Sequence, residues 1–203
     1  MRPDLLGLPA FQERFPWLGA DLQTLRNTLR APRLPPESGR CLHFWLPDGD
    51  RLLARLDLPS SNQLGRMEGP QGLIVVIHGL GGGSDDFSQR RLGLVLLSQG
   101  FAVLRLNLRG AGPGRPLARG TYAARCSSDL LPVLRDCRRL AAELAPSGAI
   151  LPVGAVGLSL GGTVLLNALL DDLGQGLNPL LDALACVSSP LDLLHCEIGR
   201  AHV

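Results

Sequence analysis

The stretch VGLSLGG, residues 156–162, decides how this chain is read. Within it Gly157-Leu158-Ser159-Leu160-Gly161 fits G-x-S-x-G, in which a serine sits on a sharp turn between a strand and a helix. VGAVG, which runs into the motif, has the apolar character of a buried strand, and GGTVLLNALL after it reads as a helix. Glycines at 157 and 161 leave room for a crowded turn. A helix starting there aims its first N–H groups and its positive dipole end at the hydroxyl. A serine hydroxyl is a weak nucleophile until a base takes its proton, so the motif asks where a histidine is.

Outward from the motif, strands alternate with helices. GLIVVI (72–77) is a continuous apolar run of buried-strand length, and HGLGGGSDDF leads from it into a helix ending at Gln99, with Gly100 as the stop. FAVLRLNL is the next strand, and RGAGPGRPLARGT a glycine-rich loop. From Asp129, apolar residues recur at Leu130, Leu134, Cys137, Ala141 and Leu144, the spacing of one helix face. ALACVSS is the last strand. Near the start, CLHFWLPDGDRLLARLDLP holds two apolar runs around Asp48-Gly49, a hairpin signal. The pattern predicts an α/β fold with a mostly parallel sheet and helices on both faces. Residues 1–40 read as an N-terminal arm with one short helix, ADLQTLRNTL, and a proline-rich stretch, and 41–196 as the core.

Composition narrows the function classes. The chain has 203 residues, 45% of them hydrophobic, and a formal charge of +2, which suits a single globular domain and argues against nucleic acid as the main ligand. All twenty basic residues are arginine, scattered along the chain, which reads as codon usage rather than as an anion-binding surface. Five cysteines, Cys41, Cys126, Cys137, Cys186 and Cys196, form no C-x-x-C pair and read as small buried thiols in a reducing compartment, with no metal site. Residues 149–170 carry no charge, but Pro152, four glycines and three polar residues favour strand, turn and helix over a transmembrane segment.

Two glycine-rich turns follow strands. GLGGGS (79–84) approaches the dinucleotide fingerprint G-x-G-x-x-G, with Ser84 in place of the last glycine. The next strand ends in Asn107 and Arg109 rather than an acidic residue, so an NADP-binding oxidoreductase, with Arg109 on a 2′-phosphate, stands as the lesser alternative. A lysine-dependent phosphate loop is excluded, because the chain has no lysine. The other reading joins HGLGGG (78–83) and GLSLGG (157–162) as two turns of one site.

With DLQTL, LPDGD, HGLGGGSDD, LNLRGAG, TYAARCSSDL, VGLSLGG and VSSPLDL, the chain resembles the YheT-like branch of the α/β-hydrolase superfamily from about residue 15 to 195. The resemblance implies an α/β-hydrolase fold and a serine hydrolase acting on small-molecule carboxylic esters or lipids, without cofactor, cytoplasmic or in peripheral contact with a membrane. It implies Ser159 as nucleophile and the Leu80 and Leu160 N–H groups as oxyanion hole, supported by His78, Gly79, Gly157 and Gly161. Asp21 departs from the histidine more often found in the arm of that branch.

The base is harder to place. In this fold the order is Ser, then Asp or Glu, then His. His43 and His78 precede the serine; the first reads as structural, the second as shaping its loop. Asp192 and His195 follow in the right order but lie just after the next strand, too early for the pattern. The final seven residues, EIGRAHV (197–203), lack periodicity and back-translate to the start of a common sequencing adapter. The expectation is therefore a core cut after about its sixth strand, with 197–203 a non-native tail and the acid and base in sequence missing from this chain. A binding module on the same fold, without catalysis, is the competing class.

Overall fold

The computed structural model describes residues 12–13, 15–19, 21–22, 26, 33–65, 67–146, 149–173 and 179–193. The chain divides into two compact units, Met1–Pro35 and Pro36–Val203. Few positions of the first unit are described, so the helix expected at ADLQTLRNTL, like Cys196, His195 and residues 197–203, lies largely or wholly outside the described residues.

The second unit is built on one six-stranded sheet. Its strands are β1 (Arg40–Trp45), β2 (Arg51–Asp57), β3 (Leu73–Ile77), β4 (Ala102–Leu106), β5 (Val153–Leu158) and β6 (Ala183–Val187), in the order β1-β2-β4-β3-β5-β6. The hairpin strands β1 and β2 are antiparallel to each other, and β2 is antiparallel to β4; every other pairing is parallel. The apolar runs foreseen in the sequence are the parallel strands. Leu73, Val75, Ile77, Leu104, Leu106 and Val153 are fully buried, as strands covered on both faces must be.

Helices α1 (Phe87–Ser98), α2 (Ser127–Leu144) and α3 (Leu160–Leu173) supply those covers. Leu97 of α1 packs with Val76 and Val103 in one cluster. Leu130, Leu134 and Cys137 of α2, with Val164, Leu165 and Ala168 of α3, join a larger one with Val75, Ile77 and Leu104. Alternate residues of one strand thus feed opposite layers. The uncharged stretch 149–170 becomes β5, a one-residue turn and most of α3, and no helix among the described residues is long and apolar enough to cross a membrane.

The cysteines correct one expectation. Cys126 and Cys137 are buried, and burial pushes the Cys126 thiol up to about 11 and Cys137 higher still, so both stay protonated. Cys41 and Cys186 are exposed, because each lies on an outermost strand, β1 or β6. β6 pairs with β5 alone, and four of its five residues are exposed.

A buried arginine ties the antiparallel edge to α1. Arg105 on β4 is 3% exposed; its Nε donates to Asp57 (2.9 Å), its two terminal nitrogens to Glu37 (2.9 and 2.7 Å), and one of them also to the Ser84 carbonyl (2.7 Å). Arg90 of α1 reaches Glu37 as well, at 3.4 Å. Burial works against the charge on Glu37, but the Arg105 hydrogen bonds, the Gly39 N–H and the Arg90 charge outweigh it and hold the carboxyl at about 2. A carboxyl depressed on folding adds stability above its unfolded value near 4.5, and that stability is lost as pH falls toward 2. Urea midpoints measured between pH 6 and pH 2.5 are therefore expected to fall through this window, and Glu37→Gln is expected to flatten that fall while lowering the midpoint at pH 6.

Candidate active site

The G-x-S-x-G motif lies at the C-terminal end of β5. The strand ends at Leu158 and α3 begins at Leu160, so Ser159 alone makes the turn. Its backbone is left-handed, with φ +51°, a conformation that a residue with a side chain adopts at a cost of about 1–2 kcal/mol. Its N–H donates to the Val187 carbonyl at the end of β6 (2.8 Å), and its carbonyl accepts from the Gly162 N–H (3.0 Å). The flanking glycines are required by space. A Cβ at Gly157 would collide with the Gly162 backbone, and one at Gly161 would lie 2.5 Å from the His78 carbonyl oxygen and 2.6 Å from that of Ile77. The first turn of α3 thus rests directly on the end of β3.

The second glycine-rich turn meets the first at Gly79. A Cβ placed there would stand 3.1 Å from Ser159 Cβ and 3.6 Å from its Oγ. The structure therefore brings Gly79 and Ser159 together, with Leu80 and Leu160 next to them in the chain. Leu80 is half exposed and Leu160 packs against the core cluster.

His78, 1% exposed, holds the upstream turn from within. Its Nε2 accepts from the Leu108 N–H (3.1 Å), so the ring proton sits on Nδ1, which donates to the Gly79 carbonyl (2.7 Å). Burial keeps the ring below its usual range despite that carbonyl and the Asp86 charge, so His78 is neutral near pH 7. Both ring nitrogens are thus engaged with the backbone, one in the turn after β3 and one after β4. His43 is exposed on β1, four strands from β5 in the sheet. Asp192 is exposed just after β6.

Asn107 and Arg109 overturn the dinucleotide alternative. Asn107 is fully buried; it accepts from the Ser84 N–H (2.8 Å) and donates to Leu53 O (2.9 Å) and Ser84 Oγ (3.0 Å). Arg109 pairs with Asp129 (2.7 Å), Asp50 (2.6 Å) and Asp48 (2.9 Å), and the Asp129 hydrogen bonds lead in raising its pKa further. A guanidinium enclosed by three carboxylates is not offered to a 2′-phosphate. Its work is structural: it ties the loop after β4 to the first turn of α2 and to the hairpin.

Sequence reasoning gave no role to Tyr122. Its hydroxyl accepts from the Gly81 N–H (2.7 Å) and stands 3.5 Å from the Gly79 carbonyl, and its ring meets His78 edge-on at 5.5 Å between centroids. The available signal was the chain's only tyrosine lying in a glycine-rich loop. Beside this turn opens a cavity of about 610 Å³, bounded by Leu80, Tyr122 and the loop after β4.

The alpha/beta hydrolase fold family matches residues 72–201, which takes in both turns. The chain belongs to the alpha/beta hydrolase fold family. No curated protein matches it. Among solved structures, XC6422 from Xanthomonas campestris, an a/b serine hydrolase without lid, is similar with TM-score 0.51 and 21% identity, over 69% of this chain and 59% of its own. Brefeldin A esterase, a bacterial homologue of human hormone sensitive lipase, is similar with TM-score 0.56 and 20% identity, over 76% and 42%. Esterase Est22 gives TM-score 0.58 and 21% identity, over 72% and 42%. At these identities the likeness establishes the fold. The alpha/beta hydrolase chain described above spans between 42% and 59% of the length of these structures.

The left-handed turn makes a prediction about stability. Glycine tolerates φ +51°, whereas alanine retains the Cβ that opposes it. Ser159→Gly is expected to be more stable than Ser159→Ala by about 1 kcal/mol, read from urea midpoints of the two variants. Equal midpoints would show that Ser159 bears no such strain.

Proposed function

We propose that this is a serine hydrolase of carboxylic esters in which Ser159 is the nucleophile. The observation that carries the reading is the left-handed Ser159 at the β5–α3 turn with Gly79 packed against it. A serine held there has its hydroxyl clear of the sheet end and close to the start of a helix, where N–H groups lack partners within the helix. In the proposed reaction Ser159 Oγ attacks the ester carbonyl. The Leu160 N–H, first in α3, and the Leu80 N–H, next to Gly79, receive the oxyanion, each donor worth about 10²–10³ in rate. A histidine takes the serine proton and passes it to the leaving alcohol, and a carboxylate orients that histidine.

Neither described histidine fits that last role: His78 has both nitrogens committed, and His43 is on the far side of the sheet. The base and its carboxylate partner are therefore assigned to sequence C-terminal to the described core, in keeping with the order Ser, acid, His. The same observation favours, as a second reading, a binding module that uses the fold without catalysis. The YheT-like branch, a cytoplasmic location and lipid esters among the substrates belong to the proposal on the strength of the motifs.

The readings part on one experiment. In a longer natural chain carrying the base, Ser159→Ala is expected to lower hydrolysis of p-nitrophenyl butyrate by at least about 10³-fold. On this reading the 203-residue chain alone is expected to turn over about 10³-fold or more below that longer chain, since neither histidine among its described residues serves Ser159. Unchanged turnover in Ser159→Ala would remove the serine from the reaction. Normal turnover by the short chain would return Asp192 and His195 to consideration.

A further inference from the structure

The cavity beside the glycine turn has a chemistry of its own. Leu80, Ala111 and Tyr122 give it apolar wall, Gly82 bare backbone and Thr121 a hydroxyl, while Arg115 is the one charged residue that lines it. Among the described residues no carboxylate pairs with Arg115, although the arginines that shape the framework are neutralised: Arg105 by Glu37 and Asp57, Arg109 by Asp48, Asp50 and Asp129. Arg115, itself exposed, thus lines the cavity with no carboxylate partner among the described residues.

The wall that carries Arg115 is braced. The Tyr122 N–H donates to the Arg109 carbonyl (3.0 Å) and closes the loop. Asp50 accepts from both the Arg109 guanidinium (2.6 Å) and the Arg119 N–H (2.7 Å), pinning the loop's two ends to the hairpin. The Ala111 and Gly114 N–H groups bond back to Leu108 and Ala111 carbonyls, each at 3.0 Å. Across the cavity the opposite wall, Leu80 and Gly81, belongs to the turn that packs on Ser159 and is held by Tyr122 Oη. One braced hollow is therefore lined both by Leu80, the candidate oxyanion donor, and by Arg115.

We propose that this cavity binds the non-reacting end of the substrate, and that this end carries a carboxylate which Arg115 pairs with, so that the substrates are half-esters of dicarboxylic acids. The inference rests on the serine-hydrolase reading for the ester and on the cavity alone for the charge. A single guanidinium matches a single negative charge in a fork geometry suited to a carboxylate. A phosphate monoester, near −2, would leave excess charge against a wall that offers no second cation.

Binding to the Ser159→Ala chain, measured by titration calorimetry, tests this without requiring turnover. Monomethyl glutarate is the charged probe, methyl pentanoate its neutral counterpart of similar size, and inorganic phosphate the third. Monomethyl glutarate is expected to bind about tenfold tighter than methyl pentanoate at low salt, and the advantage to shrink at 0.5 M NaCl. Arg115→Gln is expected to abolish the advantage while sparing methyl pentanoate binding, and Arg115→Lys to keep part of it. Equal affinity for the two esters, an advantage that survives Arg115→Gln, or saturable binding of neither would overturn the proposal. Tighter binding of inorganic phosphate than of monomethyl glutarate would also overturn it, by assigning the cavity to dianions. A failure of the serine reading would show instead as unchanged ester turnover in Ser159→Ala, a separate measurement.

Discussion

The passage of the chain from β5 to α3 in a single residue is the constraint on which the rest of the site depends. A parallel strand buried on both faces must hand over to its covering helix without an exposed detour, and here only Ser159 separates the two. That residue is left-handed, and the helix after it presses on the carbonyls of Ile77 and His78 so closely that Gly161 has no room for a Cβ. The contact fixes α3 against β3. It also fixes the turn after β3, because Gly79 has nowhere to go except against Ser159. Strain at one residue is thereby balanced by packing that involves the whole centre of the sheet.

The two loops at the ends of β3 and β4 are held by buried polar side chains as well as by Leu108 and Ala111 in the core. His78 joins the Gly79 carbonyl to the Leu108 N–H, and Asn107 joins Ser84 to Leu53. Arg109 joins the loop to α2 and to the hairpin through its carboxylates. Each is a buried or half-buried group whose partners would be left unsatisfied by its removal, a heavier penalty than the net worth of the bond itself. The consequence for function is rigidity: backbone N–H groups meant for an oxyanion help only if they are already in place.

The proposed chemistry divides between short-range and long-range parts. Nucleophile and oxyanion donors come from two turns at adjacent strand ends, β3 and β5, and their positions follow from the sheet register. The base must approach from outside those turns, and the two described histidines are occupied or remote. The hollow proposed to receive the substrate is lined by the turn after β3 and by the loop bearing Arg115. A reaction arranged in this way takes its specificity from the loop after β4, while the nucleophile's surroundings stay invariant to what is bound.

Fold class, strand positions and the tight turn at Ser159 were legible in the sequence, because each depends on local order. Buried parallel strands need apolar runs such as LIVVI and AVLRL, and a one-residue turn needs Gly157 and Gly161 beside Ser159. Gly100, with φ +82°, ends α1 region as expected, since a left-handed position favours glycine. The roles of Arg109, Asn107 and Tyr122 were not legible. Arg109 kept a lesser dinucleotide alternative open until folding brought Asp48, Asp50 and Asp129 around it from three separate segments. The exposure of Cys41 and Cys186 likewise depended on which strands lie outermost, a matter of sheet order. The sequence by itself determined what each segment becomes, because backbone preference and hydrophobic period act over a few residues. Only the tertiary structure decided which charges cancel and which, like that of Arg115, find no carboxylate among the described residues, because ion pairs form between groups that the chain separates and the sheet brings together.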